Sequence, residues 1–172
     1  MKLLLIPVFA VAAMAQVQTI PFTGTEQPEM TAGKLVHQGP LLRGTVGVEV
    51  KLGPLVLHAG EGTLNSETGE LDLSGGVHVT LPARSDHSLF RYGTDALVTD
   101  KPVDLSADRL HLKNGLLRGA GHIEVRTADA RLQGSEIEMY LRTADARLSG
   151  NVDAARPQRR RGFPEFPADI IK

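Results

Sequence analysis

The amino-acid sequence predicts an all-β fold made of short antiparallel strands joined by turns. A Leu-x-Gly motif recurs at a near-regular spacing, and apolar residues alternate with polar ones in short runs. Alternation of this kind places apolar side chains on one face of a strand and polar side chains on the other. Many short strands with closely spaced turn signals are typical of a barrel, a sandwich or a jelly roll.

The Leu-x-Gly motif occurs five times, and two further copies end in alanine. The third residues of the copies are Gly44, Ala59, Gly75, Ala107, Gly119, Gly134 and Gly150. Four of the six steps are 15 or 16 residues, and one step of 32 indicates a missing copy near residue 91. A repeat of this length is too short for a pair of helices and fits two short strands with their turns.

The clearest repeat contains no gaps. Segments 127–134 and 143–150 match at seven of eight positions, and segment 68–75 fits the same frame. We interpret each segment as a turn followed by a short strand that ends at leucine, after which glycine permits a bend. A helix over residues 137–148 is the alternative, because its apolar residues also fit helical spacing. Segment 68–75 favours the strand, since Gly69 and the Leu71/Leu73 alternation disfavour a helix.

The first 15 residues have the features of a signal peptide. Lys2 precedes an apolar run, and Ala13-Met14-Ala15 forms a small-x-small cleavage site, so we expect cleavage after Ala15. The apolar run is too short to span a bilayer, which needs about 20 residues. An uncleaved N-terminal anchor is the alternative.

Proline and charge divide the rest of the chain. Residues 16–41 contain Pro21, Pro28 and Pro40 and are predicted to be a mostly irregular lead-in. Residues 42–153 form the predicted β domain, in which prolines occur where the alternation stops and therefore mark turns. These prolines are Pro54, Pro82 and Pro102. Residues 154–172 are basic and proline-rich, which predicts a disordered tail. Residues 84–93 alternate least and are expected to be a loop or a departure from the regular stack.

Composition excludes several classes of function. The chain contains no cysteine, which excludes disulfides and a lipoprotein anchor. Its formal net charge is −1, and the tail from Arg156 contains five basic and two acidic residues, so the remainder of the chain is acidic, which argues against nucleic-acid binding. Two Tyr, five Phe and no Trp are few for an enzyme cleft or a sugar-binding site.

No catalytic or metal-binding constellation is evident. His78, His111 and His122 are predicted on polar strand faces, where solvated side chains are the simplest interpretation. The aspartates that recur with the repeat fit turn chemistry better than acid–base work. These are Asp108, Asp129 and Asp145. The sequence therefore predicts no enzyme, no cofactor and no metal. An envelope hydrolase or a lectin would require clustered carboxylates or exposed aromatic residues.

Four segments carry a resemblance to a known family. They are residues 105–110, 117–125, 132–139 and 148–152, which repeat a phrase of the form Ala-Asp … Leu-x-Gly-Asn-Val. The last copy matches the phrase outright, whereas His122-Ile123 replaces Asn-Val after Gly121. Behind an export signal, residues 42–153 resemble the OstA-like family of lipopolysaccharide-transport proteins, which includes LptA-like, LptC-like and N-terminal LptD-like domains.

The resemblance implies a fold, a function and partners. It implies an open β jelly roll, a sheet folded like a "β-taco", whose apolar groove accepts the lipid A acyl chains of lipopolysaccharide. It also implies a periplasmic location in a Gram-negative envelope, and a role in outer-membrane biogenesis. The implied partners are other Lpt-type jelly-roll proteins of the inner and outer membranes, and copies of the same chain stacked head to tail at exposed sheet edges.

The alternating aliphatic residues are the candidate lining of such a groove. They are Leu55, Leu57, Leu71, Leu73, Val77, Val79, Leu110, Leu112, Ile123, Val125, Ile137, Met139 and Leu141. A dry lining lowers the cost of exposing acyl chains to water, about 0.8 kcal/mol for each methylene. The alternatives are a packed core and a structural β-solenoid that acts as an envelope scaffold without lipid cargo. Arg159, Arg160 and Arg161 either contact anionic headgroups or belong to a solvated tail.

Overall fold

The computed structural model describes residues 26–84 and 86–155. All the regular structure in this part of the chain is β-strand, so the predicted all-β class is confirmed. It contains no helix long and apolar enough to cross a membrane. The predicted signal peptide and residues 156–172 of the predicted tail lie outside the described residues.

Eleven strands are present in the described residues. They are β1 (Glu29–Gln38), β2 (Leu41–Leu52), β3 (Leu55–Asn65), β4 (Leu71–Leu81), β5 (Ser88–Tyr92), β6 (Asp95–Thr99), β7 (Val103–Lys113), β8 (Leu116–Arg126), β9 (Arg131–Tyr140), β10 (Asp145–Ser149) and β11 (Asp153–Ala155). They form one open sheet in the order β1-β2-β3-β4-β7-β8-β9-β10-β5-β6, and β11 also pairs with β9. The segment for which a helix was the alternative forms β9, a turn and β10.

A line of β-bulges crosses the sheet. The register shifts in each of the six pairs from β1/β2 to β8/β9, and each shift adjoins the next one. A bulge bends its strand and increases the local twist. We call this row the fold line, because it divides the long strands into two segments that pack against each other.

The two sets of segments form two layers. The first layer contains residues 34–38, 41–45, 61–65, 71–74, 109–113, 116–120 and 136–140 with β5, β6 and β10. The second layer contains residues 29–32, 48–52, 55–59, 77–81, 103–107, 123–126 and 131–134 with β11. A single hydrophobic core with residues from both layers lies between them.

The Leu-x-Gly glycines lie at the fold line. Gly119 has no room for a side chain, since a Cβ there would lie 2.7 Å from Ile137 Cγ2 and 2.9 Å from Leu110 Cδ2. Gly75 has φ +81° in the bulge of β4, a conformation that L side chains rarely adopt. The bend predicted at glycine is therefore confirmed. The predicted strands were too short, because the long strands of 10 to 12 residues continue through the bend.

The gap-free repeats share one turn. In each repeat the threonine Oγ1 accepts a hydrogen bond from the backbone N–H two residues later. The donors are Glu70 to Thr68 at 3.3 Å, Asp129 to Thr127 at 3.2 Å and Asp145 to Thr143 at 3.4 Å. A strand begins at the donor or within two residues of it. The prediction of a turn followed by a strand is therefore confirmed.

The predicted irregular lead-in over 16–41 is wrong where it is described. Residues 29–38 form β1, which pairs along its whole length with β2. Pro28 lies immediately before the strand and Pro40 lies in the turn after it, so both prolines bracket the strand. The alternation is weak because β1 is an edge strand in which only Met30 is buried. At the other end, β11 continues from Asp153 to Ala155, so residues 154 and 155 belong to the sheet and not to the predicted tail.

The chain departs from its regular order between β4 and β7. Residues 82–84 lie outside any strand, whereas Ser88–Tyr92 form β5, which pairs in parallel with β10. The other pairs of the sheet are antiparallel. The expected departure from the stack is therefore present, although half of the segment is strand and not loop. Pro54, Pro82 and Pro102 all lie outside strands, as predicted.

Candidate functional site

Two ladders of aliphatic side chains line the interior along the length of the sheet. In the second layer, successive register partners are Val50, Leu57, Val79, Leu105, Val125 and Leu132. In the first layer they are Leu42, Leu64, Leu71, Leu112, Leu117, Met139, Ala146, Phe90 and Leu97. The ladder of the second layer crosses six strands, whose spacing of about 4.8 Å gives it a length of about 24 Å.

All thirteen residues predicted to line a groove face the interior. Their exposed fractions run from 0% for Val77 and Met139 to 5% for Leu112, and all belong to the hydrophobic core. The predicted division between the dry and wet faces of the strands is therefore confirmed. Binding of a lipid by these residues stays a prediction.

Sequence reasoning missed several interior positions. Val48, Val50 and Leu52 alternate in the sequence, and so do Val103 and Leu105, so the signal for these residues was present. Leu132 stands alone between Arg131 and Gln133, and Leu117 directly follows Leu116, so alternation does not identify either residue. Their register partners Val125 and Met139 do.

Aromatic side chains occupy the interior at the end formed by β5. Phe90 is fully buried opposite Ala146, and Tyr92 is 9% exposed opposite Leu148. These are the aromatic residues of the described core. The aromatic side chains at this end contrast with the aliphatic residues that make up the rest of the two ladders.

Two chain segments bridge the layers on the side opposite the fold line. Leu81 and Val103 are partners at the far end of the second layer, whereas Ser88 and Thr99 are partners at the far end of the first. The crossing segments, residues 82–84, 86–87 and 100–102, therefore pass from one layer to the other. The N–H of Arg84 donates to Asp100 O at 3.2 Å and joins them.

Side chains hold the crossing segments to both layers. Arg84, whose side chain is only 16% exposed, donates to Asp86 at 2.7 and 2.9 Å and to the carbonyl oxygen of Arg142 at 3.1 Å. The hydrogen bond to Asp86 raises the pKa of Arg84, and the same bond lowers the pKa of Asp86. Lys101 pairs with Asp129 in the β8–β9 turn. The interior is thus covered on this side.

The three candidate histidines lie apart on the outer face. His111 contacts Asp72 at 2.7 Å and Glu70 at 3.6 Å, and His122 contacts Asp108 at 2.9 Å. His78 is the register partner of His58 on β3. Two of them therefore have acidic partners that the sequence did not reveal, and the bond to His122 lowers the pKa of Asp108. No cluster of three or more metal-ligating residues occurs within residues 26–84 and 86–155.

Among residues 26–84 and 86–155, the two end strands of the sheet each lack a partner on one edge. No described strand pairs with the outer edge of β1, on which Leu35 and Val36 are 42% and 41% exposed. At the opposite end no described strand pairs with the outer side of β6, on which Val98 is 58% exposed. An unpaired strand edge with exposed apolar side chains is a template for pairing with another chain.

The fold has a counterpart among solved structures. No protein-family model and no curated protein sequence matches the chain. The structure of LptH, the LptA-homologous periplasmic component of the lipopolysaccharide transport device from Pseudomonas aeruginosa, matches with a TM-score of 0.62 and 9% sequence identity. The match covers 80% of this chain and 99% of that chain. The chain therefore has the LptA-like open β-jelly-roll fold that the sequence resemblance implied.

Proposed function

We propose that this protein binds lipopolysaccharide and shields its acyl chains between the two layers of the folded sheet. The observation that carries the proposal is the pair of continuous aliphatic ladders, which run perpendicular to the strands towards both open ends of the sheet. Acyl chains need an apolar path without buried charge. Among the described residues, the buried side chains are apolar except for Ser88 and Thr99.

The compartment and partners follow from the same proposal. The predicted N-terminal export signal and the LptA-like fold support a periplasmic protein that carries lipid between the inner and outer membranes. The open edges at β1 and β6 support end-to-end assembly with further copies or with other jelly-roll proteins of the transport system. In such an assembly the aliphatic ladders of neighbouring subunits would continue one another.

Binding of lipopolysaccharide to variants with a smaller interior tests the proposal. Ala107→Leu and Ala146→Leu each add apolar volume at buried positions, 4% and 3% exposed. Overfilling an interior costs about 1–3 kcal/mol, which corresponds to a loss of about fivefold or more in affinity if acyl chains compete for that space. Native mass spectrometry with lipopolysaccharide measures both stoichiometry and affinity, and we expect one to a few lipids per chain.

Ala120→Leu is the matched control. It makes the same change on β8, but at an exposed position on the outer face, so it should leave lipid binding unchanged. Melting temperatures identify variants that have lost their fold. Equal affinities of Ala146→Leu, Ala120→Leu and the parent protein would rule out the interior as the lipid site.

A structural role without lipid is the second candidate function. The observation in its favour is that the interior side chains are at most 9% exposed, as in an ordinary packed core. A scaffold of this kind would assemble through its edges and would bind no lipopolysaccharide at any concentration. The same mass-spectrometric titration separates the two candidates.

A further inference from the structure

Two arginines lie side by side on the outer face where β10 and β5 pair in parallel. Arg147 and Arg91 are direct register partners, and both side chains are exposed. Neither guanidinium makes a hydrogen bond or an ion pair within the part of the chain that the structure describes. Like charges directly opposite each other destabilise a sheet, so this pair requires an explanation.

The same sheet contains a second arginine pair that shares one carboxylate. Arg126 and Arg131 are register partners on β8 and β9. The carboxylate of Glu124 lies between them, 2.6 Å from Arg126 Nη2 and 2.7 Å from Arg131 Nη2. The two bonds hold the pKa of Glu124 below its ordinary value, with the larger effect from Arg131. One oxyanion thus satisfies two neighbouring guanidiniums.

No carboxylate takes this place between Arg91 and Arg147. The partner of Arg147 on β9 is Glu138, whose Oε1 accepts a hydrogen bond from Arg118 at 3.0 Å. The partner of Arg91 on β6 is Ala96. The row Arg118, Glu138, Arg147, Arg91 therefore carries three positive charges and one negative charge.

A surface depression adjoins the two arginines. It has a volume of about 580 Å³ and is lined by Arg91 and Arg147 together with Ser149, Gly150, Leu148 and Val152. Leu148 belongs to the hydrophobic core and Val152 packs against it. Leu148 is 2% exposed, whereas Val152 is only partly buried, so the depression places the apolar side chain of Val152 beside the two guanidiniums. Its size is within the range of ligand sites, about 300–1,000 Å³.

We propose that Arg91 and Arg147 form a clamp for a phosphomonoester, which takes the place that Glu124 takes between Arg126 and Arg131. Guanidinium groups donate paired hydrogen bonds to phosphate oxygens, and a phosphomonoester carries nearly two negative charges at neutral pH. The adjoining apolar residues indicate the phosphorylated headgroup of an amphipathic glycolipid. This assignment of the ligand rests on the proposed function, whereas the phosphate site itself does not.

Four probes separate the headgroup from the acyl chains. Glucosamine 6-phosphate and inorganic phosphate present the anion alone, phosphorylated lipid A presents anion and acyl chains, and dephosphorylated lipid A presents acyl chains alone. Arg91→Gln and Arg147→Gln should each weaken the binding of phosphorylated lipid A about tenfold or more, because each removes charge-assisted hydrogen bonds. Binding of dephosphorylated lipid A should be the same in all variants.

Two further variants sharpen the test. Arg43→Gln removes the same charge from an exposed position on β2 that faces Val36 and Thr63, and it should leave binding unchanged. Ala96→Glu places a carboxylate beside Arg91 while both arginines remain, and it should weaken phosphate binding as Arg91→Gln does. All these positions are exposed, so melting temperatures should stay close to that of the parent protein.

The outcomes distinguish the clamp from the lipid-binding function. Equal losses in Arg43→Gln and Arg147→Gln, or no loss in either, would overturn the clamp whether or not dephosphorylated lipid A binds. Arginine-dependent binding of glucosamine 6-phosphate or inorganic phosphate, with no binding of either lipid, would support the clamp with a free phosphate as its ligand. That result would contradict the proposed function.

Discussion

The threonine that opens each gap-free repeat connects the sequence pattern to a defined turn. Thr68, Thr127 and Thr143 each accept a hydrogen bond from the N–H two residues later. The residue between is glycine in the first turn and alanine in the other two. Hydroxyl side chains commonly form this bond at turns. The repeat therefore encodes where each strand starts, while the glycine at its end encodes where the strand bends.

Removal of the threonine hydroxyls should lower stability modestly. We expect Thr127→Val and Thr143→Val each to reduce the free energy of unfolding by about 0.5–1.5 kcal/mol, because a backbone donor loses its partner. Urea denaturation measures the change. Thr63→Val on β3 is the control, since the Thr63 hydroxyl makes no hydrogen bond among the described residues and valine favours strands. Losses no larger than in this control would show that the hydroxyls do not stabilise the turns.

The Glu124 carboxylate should make stability depend on pH. Hydrogen bonds from Arg131 and then from Arg126 lower its pKa in the folded state. Its contribution is therefore present above the unfolded-state pKa, about 4.3, and is lost as the pH falls through the lower folded-state pKa.

Glu124→Gln tests this dependence directly. Denaturation curves between pH 7 and pH 3 should show a smaller loss of stability for the variant than for the parent protein, since glutamine does not titrate. Glu67→Gln, at an exposed turn position whose carboxylate has no ion pair in the described residues, is the control. A pH profile of the unfolding free energy for Glu124→Gln equal to that of the parent protein would show that the hydrogen bonds of Arg126 and Arg131 to Glu124 do not cause this pH dependence.

At the level of the strands, alternation predicted which residues are buried but not which strands are neighbours. The thirteen predicted interior residues are all buried because side chains two apart share one face of a strand. β1 was missed because an edge strand buries little and has no clear alternation. The parallel pairing of β5 with β10 joins residues more than 50 positions apart, and no local pattern encodes such a contact.

The crossing segments connect the β5–β6 hairpin to the second layer and interrupt the regular order of the strands. Arg84 bonds to Asp86 within its own crossing segment, and its bond to the carbonyl oxygen of Arg142 holds this segment to the β9–β10 turn. Arg84→Gln should loosen the β5–β6 hairpin and leave the β2–β3 pair unchanged. Hydrogen exchange of the β5 and β6 amides should accelerate about tenfold or more, because bonds between charged groups are lost at a mostly buried side chain.

Arg118→Gln provides the comparison for this experiment. Arg118 also pairs with a carboxylate, that of Glu138, but both side chains are more than half exposed. Exposed ion pairs contribute about 0–1 kcal/mol, so exchange in this variant should be close to that of the parent. Unchanged exchange of β5 and β6 in Arg84→Gln would show that the hairpin is held by its core residues, Phe90 and Tyr92, without the arginine.

The shape of the whole molecule follows from bends repeated in every long strand. Bulges at equivalent positions convert one flat sheet into two layers, and the aliphatic ladders then face each other. The sequence resemblance predicted this fold. The covering of one side of the interior by the crossing segments and the burial of Phe90 were not predictable, because both depend on where the β5–β6 hairpin packs.

End-to-end assembly through the open edges has a direct chemical test. The chain has no cysteine, so Val36→Cys on β1 and Val98→Cys on β6 introduce the only thiols. Neighbouring strands lie about 4.8 Å apart, within the range that a disulfide spans. Under oxidation the double variant should form a ladder of covalent oligomers, while each single variant should not. Dimers of Val36→Cys alone would indicate β1–β1 pairing and contradict head-to-tail stacking.

The central claim is that lipopolysaccharide enters the space between the layers. A photocrosslinking amino acid at Met139, which is fully buried in the first-layer ladder, tests it in living cells, with Glu138 on the outer face of the same strand as the comparison. The account predicts lipopolysaccharide adducts at position 139 and few or none at position 138. Adducts at 138 with none at 139, or no adducts at either position, would contradict it.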